Sequence, residues 1–120
     1  MRLHAGEHRL AHPWEAVTAA AWLKYPSELA PHVEHVDYAA RHVDAHGRLV
    51  TTRVLVCRQA VPSVLLPVVR ALHAGDVEDG GLRALFVERF VVDVRARSAT
   101  SVTRNVTLAR FLSLRETIVY

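Results

Sequence analysis

An arginine at position 53 sits where a β-strand would place an apolar side chain. Residues 48–58 alternate with the two-residue period of a strand, so Leu49, Thr51, Arg53, Leu55 and Cys57 share one face. A guanidinium amid apolar neighbours is costly unless it is paired or binds an anion. The spacing therefore leaves two readings of Arg53, a buried ion pair or an anion site. Catalysis finds less support. The chain has no G-x-S-x-G, no Walker loop and no G-x-G-x-x-G, and Cys57 has no histidine partner with an evident orienting carboxylate. Cys57 alternates with apolar residues and reads as a small buried hydrophobe. Glu88, Asp93 and Glu116 fall on different predicted strands and read as surface or interface charges. No enzyme and no cofactor are expected.

The eight histidines raise the question of a metal. His42 and His46 are four apart but span a strand end and a turn, where that spacing does not align side chains. His32 and His35 are expected on opposite faces of a strand. No ligand constellation emerges, and no metal is expected. Cys57 is the only cysteine, which excludes an intramolecular disulfide and a cysteine-paired zinc site.

These residues need a scaffold to position them. A chain of 120 residues that is 51% hydrophobic and 22% charged, with only 5 Gly and 5 Pro, can form one compact domain and is too apolar to be disordered. The net charge of +3 comes almost wholly from arginine, and it suits contact with anionic lipid head groups and equally a weak nonspecific contact with nucleic acid. Aromatic–basic interleaving of the kind that binds nucleic acid is missing, so no nucleic-acid partner is expected. Residues 1–11 contain Glu7 and no apolar core, unlike a secretory signal or transit peptide. No stretch approaches the roughly 20 apolar residues of a membrane-spanning helix. Asn105-Val106-Thr107 matches a glycosylation sequon and, with no secretory route indicated, reads as chance.

Residues 2–10 are expected to form an edge strand. Pro13 and Glu15 favour a helix start, and Trp14, Val17 and Ala21, with Leu23 nearby, give a one-sided apolar face over about three turns. Tyr25-Pro26 should end it. Residues 32–43 and 48–58 read as a hairpin around Asp44-Ala45-His46-Gly47. Residues 62–74 carry Val64, Leu65, Val68, Val69 and Leu72 at helical spacing and predict a helix kinked or broken at Pro67. Residues 75–81 read as a plain turn, and residues 82–93, 97–107 and 111–120 as three more strands. The order β-α-β-β-α-β-β-β predicts an α+β architecture, an antiparallel sheet with helices on one side.

The chain also resembles the PRELI domain family of lipid-transfer proteins. The resemblance rests on His12-Pro13-Trp14-Glu15, Lys24-Tyr25-Pro26, Pro31-His32-Val33, Asp44-Ala45-His46-Gly47 and Thr51-Thr52-Arg53-Val54-Leu55. It continues through Val61-Pro62, Val91-Val92-Asp93 and Thr103-Arg104-Asn105 to Arg115-Glu116-Thr117-Ile118-Val119-Tyr120. It departs at Ser27-Glu28, where the family usually shows Asn-Pro. The lysine before Tyr25 is similar to that of slowmo-like members.

The resemblance implies a PRELI/START-like fold whose curved sheet and helices form a lipid cavity. It implies a carrier in the mitochondrial intermembrane space that binds one anionic phospholipid, preferably phosphatidic acid, and meets membrane surfaces transiently. A small twin-cysteine-motif helical-hairpin protein is the implied partner. The matching head-group positions are Lys24, His32 and Arg53, with Arg104 a weaker candidate. Residues 62–75, with Pro62, Leu65, Pro67, Val68 and Leu72, match a gate over the cavity. Family members continue past the position of Tyr120 with further strands and a C-terminal closing helix. Residues 1–120 are therefore expected to be a single, incomplete PRELI domain, and the alternative function is a non-transporting protein that binds the same partner.

Overall fold

The computed structural model describes residues 2–24, 30–72, 77–78, 81–110 and 112–120. Helix α1 (Trp14–Trp22) comes first, followed by strands β1 (Val33–Val43) and β2 (Leu49–Ala60). A 3-10 turn (Ser63–Leu65) then leads into α2 (Leu66–Leu72). Strands β3 (Val77–Glu78), β4 (Gly81–Asp93), β5 (Ser98–Asn105) and β6 (Arg115–Val119) complete the order. All pairings are antiparallel, in the order β1-β2-β4-β5-β6, with β3 paired to β4 beside that path. The architecture is α+β, as the order of elements predicts.

The β1–β2 hairpin turns on Asp44, whose carboxylate accepts from the backbone N–H groups of His46 and Arg48, both at 2.9 Å, and from Arg48 Nε at 2.7 Å. Gly47 supplies the positive φ of 75° that closes the turn. The Arg48 backbone N–H above all, then its guanidinium and the His46 N–H, outweigh burial and hold the Asp44 carboxyl at about 2.

Alternation then decides which residues face inward. Thr51, Arg53, Leu55 and Cys57 of β2 are buried, as are Leu82, Ala84, Glu88, Phe90 and Val92 of β4 and Ala99 and Ser101 of β5. Helix α1 lies on this inner face, where Ala21 joins Phe90, Val92 and Ala99 in one core cluster. Trp22 meets Phe90 edge-on with ring centroids 4.7 Å apart. A second, smaller cluster gathers Val33, Leu55 and Cys57. These clusters do not fill the inner face. A cavity of about 750 Å³ occupies the space where a packed domain would continue its core.

Several local expectations need correction. Residues 2–10 form no strand. Their only large aliphatic side chains, Leu3 and Leu10, are 85% and 52% exposed, so the segment has no apolar row to lay on the sheet. Helix α1 spans 9 residues with Pro13 just outside it, and Leu23 is exposed rather than part of its apolar face. Its predicted stop at Tyr25-Pro26 lies outside the described residues, as does the departure at Ser27-Glu28. Pro67 does not kink α2. It stands in the first turn, where a proline's missing N–H is no loss, and the break falls at the junction of the 3-10 turn and the helix. The segment read as a plain turn over residues 75–81 contains β3, and its other residues before Gly81 lie outside the described set.

Candidate functional site

The cavity is bounded by the inner face of β2, β4, β5 and β6, by the end of α1, and by the two chain segments that leave one end of the sheet. At that end β2 finishes at Ala60, β4 begins at Gly81, β5 finishes at Asn105 and β6 begins at Arg115. Residues 61–72 and the 106–114 loop both start there. Leu55, Cys57, Leu82, Ala84 and Phe86 make the lining largely apolar.

Into this lining the alternation of β2 sets Arg53, which is 2% exposed. Its register partner on β4 is Glu88, also buried. Arg53 Nη2 donates to Glu88 Oε1 at 2.6 Å and Nε donates to the same oxygen at 3.2 Å. The Trp22 ring lies 5.7 Å from the Arg53 guanidinium carbon and 4.9 Å from that of Arg41, which in turn donates to buried Thr51. Arg53 Nη1 is buried with no hydrogen-bond partner. An unpaired charged donor in such a place normally costs several kcal/mol. The arrangement leaves one donor of a fixed, desolvated guanidinium open to an anionic oxygen.

Lys24, just past α1, and His32, just before β1, both line the same cavity, so the fold brings Lys24, His32 and Arg53 to one space. Arg104 is not brought there. On β5 the inward positions are Ser101, Thr103 and Asn105, which leaves Arg104 exposed on the other face, opposite Val87 and Arg115. In the segment matched to a gate, Pro62 and Leu65 line the cavity together with Val69. Pro67, Val68 and Leu72 are exposed and do not line it. Residues 73–75 lie outside the described residues.

Sequence reasoning misplaced Glu88, which is the buried counter-ion of Arg53 rather than a surface charge. The signal for it was present: Leu82, Ala84, Phe86, Glu88, Phe90 and Val92 alternate on one face of β4. Asn105 was also missed as a structural residue. Its Nδ2 donates to the carbonyls of Thr107 and Leu112 at 2.9 and 2.6 Å, and its Oδ1 accepts from the Leu114 N–H at 2.8 Å. Those bonds tie Thr107, Leu112 and Leu114 to the end of β5. Cys57 lines the cavity too, and burial, reinforced by the charge of Glu34, pushes its thiol up.

Comparison with known proteins bears on what such a cavity belongs to. Residues 15–120 match the sequence model of the PRELI-like family. The chain belongs to the PRELI-like family. Among curated relatives, UPS-like protein C36.10 of Schizosaccharomyces pombe is 36% identical over 120 residues, covering 100% of this chain and 60% of that protein. Protein UPS2, mitochondrial, of Saccharomyces cerevisiae is 32% identical over 121 residues, covering 100% of this chain and 49% of its own length. PRELI domain-containing protein 1, mitochondrial, of Gallus gallus is 32% identical over 108 residues, covering 90% of this chain and 47% of its own. This PRELI-like chain thus spans between 47% and 60% of the length of these relatives.

Proposed function

We propose that this PRELI-like chain is the lipid-holding part of a carrier that takes one anionic phospholipid, preferably phosphatidic acid. Its phosphate would sit on Arg53, with Lys24 and His32 beside it, and its acyl chains would run along the apolar wall of Leu55, Ala84 and Phe86. The observation that carries this reading is the buried guanidinium of Arg53 with Nη1 unpartnered, set in the cavity beside the apolar wall of Leu55, Ala84 and Phe86. Two acyl chains of roughly 30 methylenes cost on the order of 25 kcal/mol to expose to water, so a carrier needs such a cavity and a cover that opens at a bilayer. The apolar 3-10 turn and α2 are suited to that cover.

No bond is made or broken in this reading: the chain binds, shields and releases, and is not an enzyme. Two of the relatives are named mitochondrial, which supports the same compartment for this chain. Within it we assign the intermembrane space, with a small twin-cysteine-motif helical-hairpin protein as the soluble partner. The test is transfer of fluorescent phosphatidic acid between donor and acceptor vesicles by the chain with that partner. Transfer of phosphatidic acid well above that of phosphatidylcholine, lost in Lys24→Ala, is the expected result. Equal transfer of both lipids, or none by a soluble complex, would reject the reading.

A further inference from the structure

We propose that Trp22 is the positioning residue of the head-group site: held outside the cavity, its ring sets the tilt of the Arg53 guanidinium and so the direction in which Nη1 is offered to a phosphate oxygen. The proposal rests on the carrier reading above and adds to it the residue through which the anion donor is aimed. Its first ground is what the ion pair leaves undone. Arg53 Nε and Nη2 both donate to one oxygen of Glu88. Two bonds that converge on a single acceptor fix the distance of the guanidinium but leave its plane free to tilt about that oxygen, because the preferred directions at such an oxygen are broadly spread. A fork-to-fork pair, with one oxygen for each nitrogen, would hold the plane as well. Here the second constraint is the Trp22 ring, whose centroid lies 5.7 Å from the guanidinium carbon.

The second ground is how the ring itself is held. Ala21, beside it on α1, is buried with Phe90, Val92 and Ala99, and Trp22 packs against that cluster. Phe90 meets the indole with the two ring planes at 65°. Arg41 of β1 stands 4.9 Å from the centroid of the same ring and 5.0 Å from that of Tyr38, and its Nε donates to Thr51 Oγ1 at 3.3 Å. Thr51 is fully buried two residues before Arg53 on the same face of β2, and Tyr38 is the register partner of Arg53 on β1. Side chains of three strands thus converge on one ring at the end of α1. The third ground is position. Neither Trp22 nor Arg41 lines the cavity, so a lipid in it meets neither, whereas Lys24, two residues beyond Trp22, does line it. What Trp22 contributes to recognition therefore acts through Arg53. A donor already held at one angle loses little freedom when the phosphate arrives, which is the advantage of a preorganised contact.

The test uses the complex with its partner, offered vesicles of equal parts phosphatidic acid and phosphatidylcholine, and reads the ratio of the two lipids retained by native mass spectrometry. Trp22→Leu should lower that ratio about tenfold, the size of a desolvated cation–π contact, while Trp22→Phe, which keeps a ring, should lose far less. Arg41→Met, at an exposed side chain, should lower it about two- to fivefold. An emission measurement leaves the site intact. The chain has two tryptophans, so Trp14→Phe makes Trp22 the sole indole. Its fluorescence should change with phosphatidic acid vesicles and not with vesicles of phosphatidylcholine alone, and the change should vanish when Arg53→Met/Glu88→Leu is added. Loss of both lipids in equal proportion would overturn the proposal, since the ring would then only pack the core. So would a Trp22→Phe variant no better than Trp22→Leu. Should Trp22→Leu not fold, Arg41→Met and the emission decide, and an unchanged ratio or a silent indole overturns the proposal. A parent complex that retains no lipid rejects the carrier reading and this one with it; a parent that retains phosphatidic acid while Trp22→Leu keeps its ratio overturns this proposal alone.

Discussion

Replacing Arg53 by methionine removes the only hydrogen-bonded counter-ion described for Glu88, a residue 5% exposed on β4. Breaking a buried ion pair by deleting one partner costs about 3–5 kcal/mol, because the remaining charge stays desolvated. Folded domains hold only about 5–15 kcal/mol in total, so Arg53→Met should fall far down a urea or thermal unfolding curve. Loss of lipid in that variant alone would be uninformative. The decisive variant is Arg53→Met/Glu88→Leu, in which both charges leave together; such replacements are often neutral or stabilising by about 1–4 kcal/mol. Its affinity for anionic phospholipid should nonetheless fall by about 10- to 150-fold, the equivalent of a charge-assisted hydrogen bond worth about 1.5–3 kcal/mol. Unfolding curves and lipid retention by native mass spectrometry, read on both variants, separate the two roles. A double variant that keeps its anionic lipid would refute the assignment of Arg53 to the phosphate. A single variant as stable as the parent would refute the claim that Glu88 is left uncompensated.

Other consequences follow from particular contacts. The Asp44 carboxyl titrates at about 2, below its ordinary 3.8, so the turn stabilisation is fully present above about pH 4 and is lost as pH falls through about 2. Amide chemical shifts of His46 and Arg48 should report that titration, and a midpoint near the ordinary value would contradict it. Asn105→Ala removes two donors and one acceptor that hold the 106–114 loop and should cost about 1–3 kcal/mol in urea unfolding. An unchanged midpoint would show that the loop is held elsewhere. Because burial pushes the Cys57 thiol up, a disulfide reagent at neutral pH should label the folded chain far more slowly than the unfolded one, and more slowly still with lipid in the cavity. Labelling at equal rates would contradict the placement of Cys57. Phe90→Ala, at a ring 1% exposed and packed on Trp22, should cost about 3–5 kcal/mol.

Periodicity made the inner face of β2 readable, including the burial of Arg53, because one face of a strand is set by local geometry alone. The hairpin around Asp44 was equally legible, since a turn and its two strands are contiguous. What answers Arg53 was not. Its pairing with Glu88 depends on a register between strands 35 residues apart, across a helix and a short strand whose packing no local pattern encodes. Arg104 drew notice through a motif, whereas the alternation of Ser101, Thr103 and Asn105 would have turned it outward. The N-terminal strand failed for the opposite reason: residues 2–10 have the length of a strand but too few apolar side chains to bury. The unfilled inner face could not be foreseen from composition, because a 51% hydrophobic chain is as consistent with a packed core as with a cavity.

The central claim is that the cavity holds one anionic phospholipid by its phosphate. Native mass spectrometry of the purified chain with its partner, followed by extraction and identification of the bound lipid, tests this most directly. The account predicts one phosphatidic acid or another anionic phospholipid per chain, absent from Arg53→Met/Glu88→Leu. A folded complex free of lipid, or one carrying neutral phospholipid unaffected by that substitution, would contradict it.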